Sequence, residues 1–312
     1  MKRTFSFLPA FLPLFFIILS AAALRAQRLV VLGTVQDAGS PHIGCTKGCC
    51  KALFKKPDPG RKVVSLGLID EKHGKAFLIE ATPDITAQVE ALKARALFPG
   101  EGVPDGILLT HAHIGHYSGL MYLGREALGA RQVPVFAMPR MRTYLENNGP
   151  WSQLAGLGNI ALQNLKDGEE LILTPDLKVT PFLVPHRDEF SETVGFRIAG
   201  KFRTAIFLPD IDKWEKWGSD ITALLSSVDY AFLDATFFDA AEIGYRDIRE
   251  IPHPFVVESM ALFKGLPPQE KAKIRFIHFN HTNPLLDARS RASRQVRKMG
   301  FKVSRIYDEV DL

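Results

Sequence analysis

Short apolar runs and helically spaced stretches alternate along nearly the whole chain, and their order predicts the architecture. "RLVVLGT" (28–34) reads as a strand. "VVSLGLID" (63–70) and "KAFLIE" (75–80) read as a hairpin around "EKHGK", with Gly74 supplying the turn. "PDITAQVEALKARAL" (83–97) carries apolar residues at helical spacing, with Asp84 a candidate cap. The buried-type strand "GILLT" (106–110) leads into a predicted helix over "SGLMYLGREALGA" (118–130). The strand "VPVFAM" (133–138) and the helix "MRTYLENN" (141–148) follow.

A second block opens with three consecutive antiparallel strands, "LKVTPFLVPH" (177–186), "ETVGFRIAG" (192–200) and "RTAIFLPD" (203–210). "DKWEKWGSDITALLSS" (212–227), "PFVVESMALFKGL" (254–266) and "PLLDARSRASRQVRKMG" (284–300) read as helices. The strands "VDYAFLDAT" (228–236), "KIRFIH" (273–278) and "FKVSRIYDEV" (301–310) lie between and after them. Two sheet-forming blocks of this kind pack most economically face to face, with helices outside both. The expectation is an α/β (α+β) fold of four layers, αββα, forming a single domain over residues 27–312. A chain of 312 residues, 46% hydrophobic, is ample for that core.

The N-terminus, "MKRTFSFLPAFLPLFFIILSAAALRAQ", places two cations before an apolar stretch that ends in small residues. This is the layout of a secretory signal peptide over residues 1–26, cleaved after Ala23 or Ala26. The apolar stretch approaches the roughly 20 residues of a spanning helix, but its small-residue end favours cleavage and export to the periplasm or beyond. No later segment is long and apolar enough to span a bilayer. Charge adds little: 39 basic residues face 34 acidic ones. Without Lys2, Arg3 and Arg25 the balance is 36 to 34, or +2. No basic stripe with interleaved aromatics marks a nucleic-acid surface, so the expected partner is a small molecule.

Chemistry concentrates in "LLTHAHIGHYSG" (108–119), where three of the nine histidines fall within six positions behind an apolar run. His111 and His113 alternate by two and point the same way on extended backbone. His116 returns to that face as a helix begins. Imidazoles converging at a strand end form a transition-metal site. His186, Asp210 and His278 each end a further apolar strand, where the same centre could use them. His73, in the turn "EKHGK", reads as a surface residue. The three cysteines, Cys45, Cys49 and Cys50, lie in "HIGCTKGCC". An odd number within six residues is no disulfide framework. The cluster suits zinc, whereas an oxidising compartment would favour a Cys45 disulfide with one thiol left over.

"HAHIGH" behind an apolar strand, with His186, Asp210 and His278 following, resembles the metallo-β-lactamase superfamily, whose αββα sandwich holds metal between its sheets. "LIEATPDITAQV", "GLMYLGRE" and "FIHFNHTNPLL" are similar to the branch containing coenzyme PQQ synthesis protein B and related phosphodiesterases. The resemblance implies one ion on His111, His113 and His186, and a second on His116 and His278, with Asp210 bridging. Gly115 stands where the superfamily pattern H-x-H-x-D-H has an aspartate that ligates the second ion. The motif thus implies one tightly held zinc and a weak second position.

The segment from "FLDATFFDAAEI" to "EIPHP" resembles one in which a strand-end acid, here Asp234, orients a histidine, here His253, that can protonate a leaving oxygen. Cys45, Cys49, Cys50 and His281 would hold a structural zinc, with His42 the rival fourth ligand. Asp188 could orient a ligand imidazole. The implied activity is that of an exported zinc hydrolase using metal-bound hydroxide, with Asp210 orienting the nucleophile. Its substrate would be a phosphodiester or a cyclic ester or amide. The alternatives are a biosynthetic or redox metalloprotein resembling the PQQ synthesis proteins, and a non-catalytic binding protein stabilised by its metal.

Overall fold

Within β1 (Gln27–Gly33), Leu29 and Val31 join one apolar cluster and Val30 and Leu32 another, and all four are buried. A strand buried on both faces belongs to a sheet covered on both sides. The computed structural model, which describes residues 27–96, 102–244 and 247–312, is built on that plan throughout. The predicted signal peptide, residues 1–26, lies outside the described residues.

The first half of the chain supplies β1, β2 (Ser65–Asp70), β3 (Lys75–Ile79), β4 (Gly106–Leu108), β5 (Val133–Ala137) and β6 (Ile160–Asn164). The second supplies β7 (Leu171–Thr174), β8 (Leu177–Leu183), β9 (Val194–Ala199), β10 (Thr204–Leu208), β11 (Tyr230–Asp234), β12 (Ile274–Ile277) and β13 (Lys302–Val303). β14 (Glu309–Asp311) returns to pair with β1. Two seven-stranded sheets result, in the orders β14-β1-β2-β3-β4-β5-β6 and β13-β12-β11-β10-β9-β8-β7.

The helices are α1 (Gly48–Lys55), α2 (Ile85–Ala96), α3 (Ile114–Tyr117), α4 (Pro139–Asn147), α5 (Trp151–Gly156), α6 (Ile221–Ser226), α7 (Val256–Leu262), α8 (Pro268–Lys271) and α9 (Arg291–Lys298). Ile85 and Leu92 of α2, Met141 and Leu145 of α4 and Leu154 of α5 pack on the outer face of the first sheet. Leu225 of α6, Val256 and Met260 of α7 and Val296 of α9 pack on that of the second. Between the sheets, Leu66, Phe77 and Leu108 meet Val179, Phe196, Phe207 and Phe232. The αββα sandwich expected from the run order is the one the chain forms.

Strand direction positions the site. β1 is antiparallel to β2, β2 to β3, and β3 runs parallel to β4, so β1 and β4 point the same way. In the second sheet β8, β10, β11 and β12 share one direction by the same count. The segments that follow β1, β4, β8, β10, β11 and β12 carry the acids and histidines described below. Ligand sites in layered α/β folds gather at such carboxyl ends.

Several predicted elements differ; the helices expected over 212–227 and 284–300 are α-helical only over Ile221–Ser226 and Arg291–Lys298. Residues 118–130 do not form a regular helix. Ser118–Leu123 forms a 3₁₀ helix and the rest forms turns, with the start of the segment tied to its neighbour: the Gly119 N–H donates to Ala81 O at 2.8 Å and the Ala81 N–H to His116 O at 2.8 Å. A Cβ on Gly119 would lie 2.0 Å from Thr82 O, so only glycine permits the approach. The predicted last strand splits: β13 joins the second sheet beside β12, while β14 joins the first beside β1. Asp84 caps nothing with its side chain; its carboxylate accepts from Val63 N at 2.8 Å and lies 3.3 Å from Lys62 Nζ.

Candidate metal centres

The apolar strand β4 is followed by Leu109 and Thr110, and the chain then leaves the sheet. His113 is still extended (φ −97°, ψ 145°) when α3 begins at Ile114. That geometry delivers the expected triple: His111 Nε2 and His113 Nδ1 lie 2.8 Å apart, and His116 comes round on the first turn. His186 sits three residues beyond β8, Asp210 two beyond β10, and His278 directly after β12. The ligating atoms of His111, His113, His186 and Asp210 all fall within 4.8 Å of one another.

Asp210 is the hub. Its Oδ2 is 3.3 Å from His111 Nε2, 3.7 Å from His116 Nε2 and 3.8 Å from His278 Nε2. Its Oδ1 is 3.2 Å from His186 Nε2 and 3.1 Å from His253 Nδ1. Burial alone would raise the Asp210 carboxyl, but His186, His278 and His253 hold it well below the usual carboxylate range. His253 Nδ1 also lies 2.9 Å from Asp234 Oδ2. Burial opposes charge on this ring, yet Asp234 and Asp210 outweigh it and raise its pKa to about 10.

The structure brings in residues that the sequence reading does not single out. Asp37 Oδ1 is 2.8 Å from His116 Nε2 and 3.4 Å from His278 Nε2, forming with Asp210 a second four-residue group. The rings are held from behind: His111 Nδ1 by Thr110 Oγ1 at 2.8 Å and His278 Nδ1 by Thr236 Oγ1 at 2.9 Å. Glu80 Oε1 stands 3.4 Å from His116 Nδ1, and Asp212 Oδ1 stands 3.4 Å from His186 Nδ1. Asp188 does not take the orienting part suggested for it. Its carboxylate accepts from Thr193 Oγ1 at 3.2 Å, and the turn after β10 puts Asp212 behind His186 instead. The strand-end rule that finds Asp210 would also have found Asp37, four residues past β1.

These donors fit a divalent ion of the zinc type. Imidazole nitrogens and carboxylate oxygens converge on one region, and several are backed by a polar partner that fixes ring orientation. His186 Nε2 and Asp210 Oδ1 are buried without a hydrogen bond. Such orphaned polar atoms are costly unless a cation satisfies them. The group opens on one side: His113, His253 and Asp37 side chains are 11–12% exposed, against 0–1% for His111, His116, His186 and His278.

A second cluster stands apart. The ligating atoms of Cys45, Cys49, Cys50 and His281 lie within 4.8 Å of one another. All three cysteines are free; Sγ–Sγ separations of 4.0 Å (Cys45–Cys49) and 3.9 Å (Cys49–Cys50) are far from a bonded pair. Cys49 and Cys50 sit in the first turn of α1. His42, the rival fourth ligand, stacks on the His281 ring with centroids 4.4 Å apart, and its Nδ1 lies 2.7 Å from Ile43 O. His281 is drawn away from His278 because His278 adopts a left-handed backbone (φ 66°) and Phe279 then pairs back to the β1 segment, its N–H donating to Thr34 O at 2.7 Å.

Comparison with known proteins places this arrangement. Residues 75–279 match the model of the beta-lactamase superfamily domain. A coenzyme PQQ synthesis protein B of Xanthomonas campestris pv. campestris is 24% identical, covering 92% of this chain and all of that protein. A Zn(2+)-bound PqqB from Methylobacterium extorquens superposes with a TM-score of 0.75 at 22% identity, over 91% of this chain and 100% of that one. A diphosphatase of the PhnP family superposes at 0.62 with 23% identity, over 91% and 96%. With a family match over most of its length and the αββα sandwich around a His/Asp cluster, the chain belongs to the metallo-β-lactamase superfamily, on a branch resembling coenzyme PQQ synthesis protein B.

Proposed function

We propose that this chain is an exported, zinc-dependent hydrolase of phosphoric ester or anhydride bonds. The observation that carries the reading is the triangle of Asp210, Asp234 and His253 set against the histidine cluster. His111, His113 and His186 with Asp210 would hold one ion, and His116 and His278 would serve a second position. Zinc so held supplies hydroxide near neutral pH and a positive charge against the phosphoryl oxygens.

The chain's own residues do the rest. Asp210 sits at the centre of the cluster, where its carboxylate would orient the nucleophile. Asp234 fixes His253 through Nδ1, so that this imidazole, on the open side, can give a proton to the leaving oxygen. Export rests on the layout of residues 1–26. Cys45, Cys49, Cys50 and His281 would hold a structural zinc that pins α1 to the loop after β12.

The test is turnover by the purified chain of bis(p-nitrophenyl) phosphate and a dinucleoside diphosphate, beside a lactone and a β-lactam. Chelator-sensitive cleavage of a phosphate substrate is expected; cleavage confined to the carbonyl substrates would overturn the substrate class. The full-length match to coenzyme PQQ synthesis protein B supports a second reading, oxidative biosynthetic chemistry. That reading requires oxygen-dependent turnover and a redox-active metal in the purified protein.

A further inference from the structure

We infer that Asp37 is a metal ligand that replaces the carboxylate missing at position 115, so that the His/Asp centre holds two ions. The inference rests on the proposal that this centre binds zinc. Gly115, read alone, implies a weak second position. The fold changes that, because the residue directly before the third histidine and the turn after β1 compete for one space. A Cβ built on Gly115 would lie 2.4 Å from the Asp37 Cα and 2.8 Å from both its Cβ and Oδ1. An acid at 115 and an acid at 37 in its present place exclude each other. The lost aspartate and the gained one form a single exchange.

The turn that presents Asp37 is anchored on both sides. Val35 bridges Val63 and Phe279, the Gln36 N–H donates to Phe279 O at 2.9 Å, and the Gly39 N–H closes the turn on Gln36 O at 2.9 Å. Because β1 runs in the direction of β4, this turn emerges at the same end as His116. Asp37 Oδ1 then lies 2.8 Å and 3.4 Å from the Nε2 atoms of His116 and His278, with Asp210 in the same group. Two carboxylates and two imidazoles make a donor set with the charge a dication needs. The exchange therefore keeps the anionic oxygen that the motif lacks.

The test is zinc content of the purified full chain after equilibration in a zinc-buffered solution, by elemental analysis. The expected result is three ions for the wild type and two for Asp37→Ala, with the isosteric Asp37→Asn also at two. Removing an outer partner of a ligand already costs about 10–100-fold in affinity, so the second ion should weaken by at least that factor.

Three ions retained by both Asp37 variants would overturn the inference and leave the hydrolase proposal standing. Two ions in the wild type, one of them lost with His111→Ala, would likewise overturn only the inference. A wild type holding the cysteine-cluster ion alone would overturn both.

Discussion

His278 and His281 lie within one stretch, "HFNH", yet they serve two clusters built on opposite plans. The His/Asp centre draws one to three residues from each of six strand ends, and its rings are backed by Thr110, Glu80, Asp212 and Thr236. The cysteine cluster is local: three thiols within six residues, plus one ring from across the fold. In the first, packing of two sheets fixes the donors before any ion arrives. In the second, burial and the neighbouring thiols push the Cys50 thiol up to about 11, so charge must be brought in to hold thiolates together. The first should set chemistry and the second stability.

The sharpest attempt to break that division is Asp210→Ala. The hub lies within 4 Å of six imidazoles, so its loss should remove the ions of the His/Asp centre and cut hydrolysis by about 10³-fold or more, with the cysteine-cluster zinc retained. Loss of that zinc as well would show the two clusters to be one cooperative unit. His253→Ala should lower turnover by about 10²–10⁴-fold, the usual worth of a positioned proton donor, with zinc content unchanged. A fall in bound zinc would move His253 into the ligand set. Cys49→Ser should do the converse: one zinc lost, the thermal midpoint down by roughly 5–10 °C, and turnover per folded molecule at 20 °C nearly that of the wild type. A large fall in turnover would tie His278 to the order of His281.

Much of this was legible in the sequence because the centre obeys period and place. His111 and His113 alternate on extended backbone, His116 starts a helix, and Asp210 and His278 follow buried apolar strands, so each signal is local. The layers were legible for the same reason. What failed depended on contacts distant in sequence. Gly119 looks like a helix residue until Ala81 and Thr82 approach it. Asp188 reads as the partner of a ligand imidazole until the turn after β10 brings Asp212 to 3.4 Å from His186 Nδ1. Asp37 lies in "VQDAGS" among turn residues four positions past β1, a strand-end acid whose link to Gly115 shows only in the fold. The edge strands β6 and β7 are short and half exposed, which leaves them without a clear alternation.

The smallest expected effect tests the join between the two clusters. Glu242, after β11, accepts from the Thr282 hydroxyl at 2.8 Å and from the Phe238 N–H, tying the loop that carries His281 to the segment that follows Asp234. It lines a cavity of about 660 Å³ with Lys47 and Cys49. Burial raises its pKa from 4.5 to about 7, despite those two bonds. A carboxyl whose pKa is higher folded than unfolded keeps an extra proton in the folded state between these values. Its contribution to stability is therefore whole below about pH 4.5 and declines as pH rises to 7. Glu242→Gln removes the titration, so its thermal midpoint should match the wild type at pH 4.5 and exceed it at pH 8. The gain should be of order 1–2 kcal/mol, since the group is partly exposed. Comparing the two proteins at each pH cancels the other titrating groups, the metal ligands included. A difference that does not vary with pH would mean that Glu242 is ionised throughout, and that the join between the clusters is a charged one.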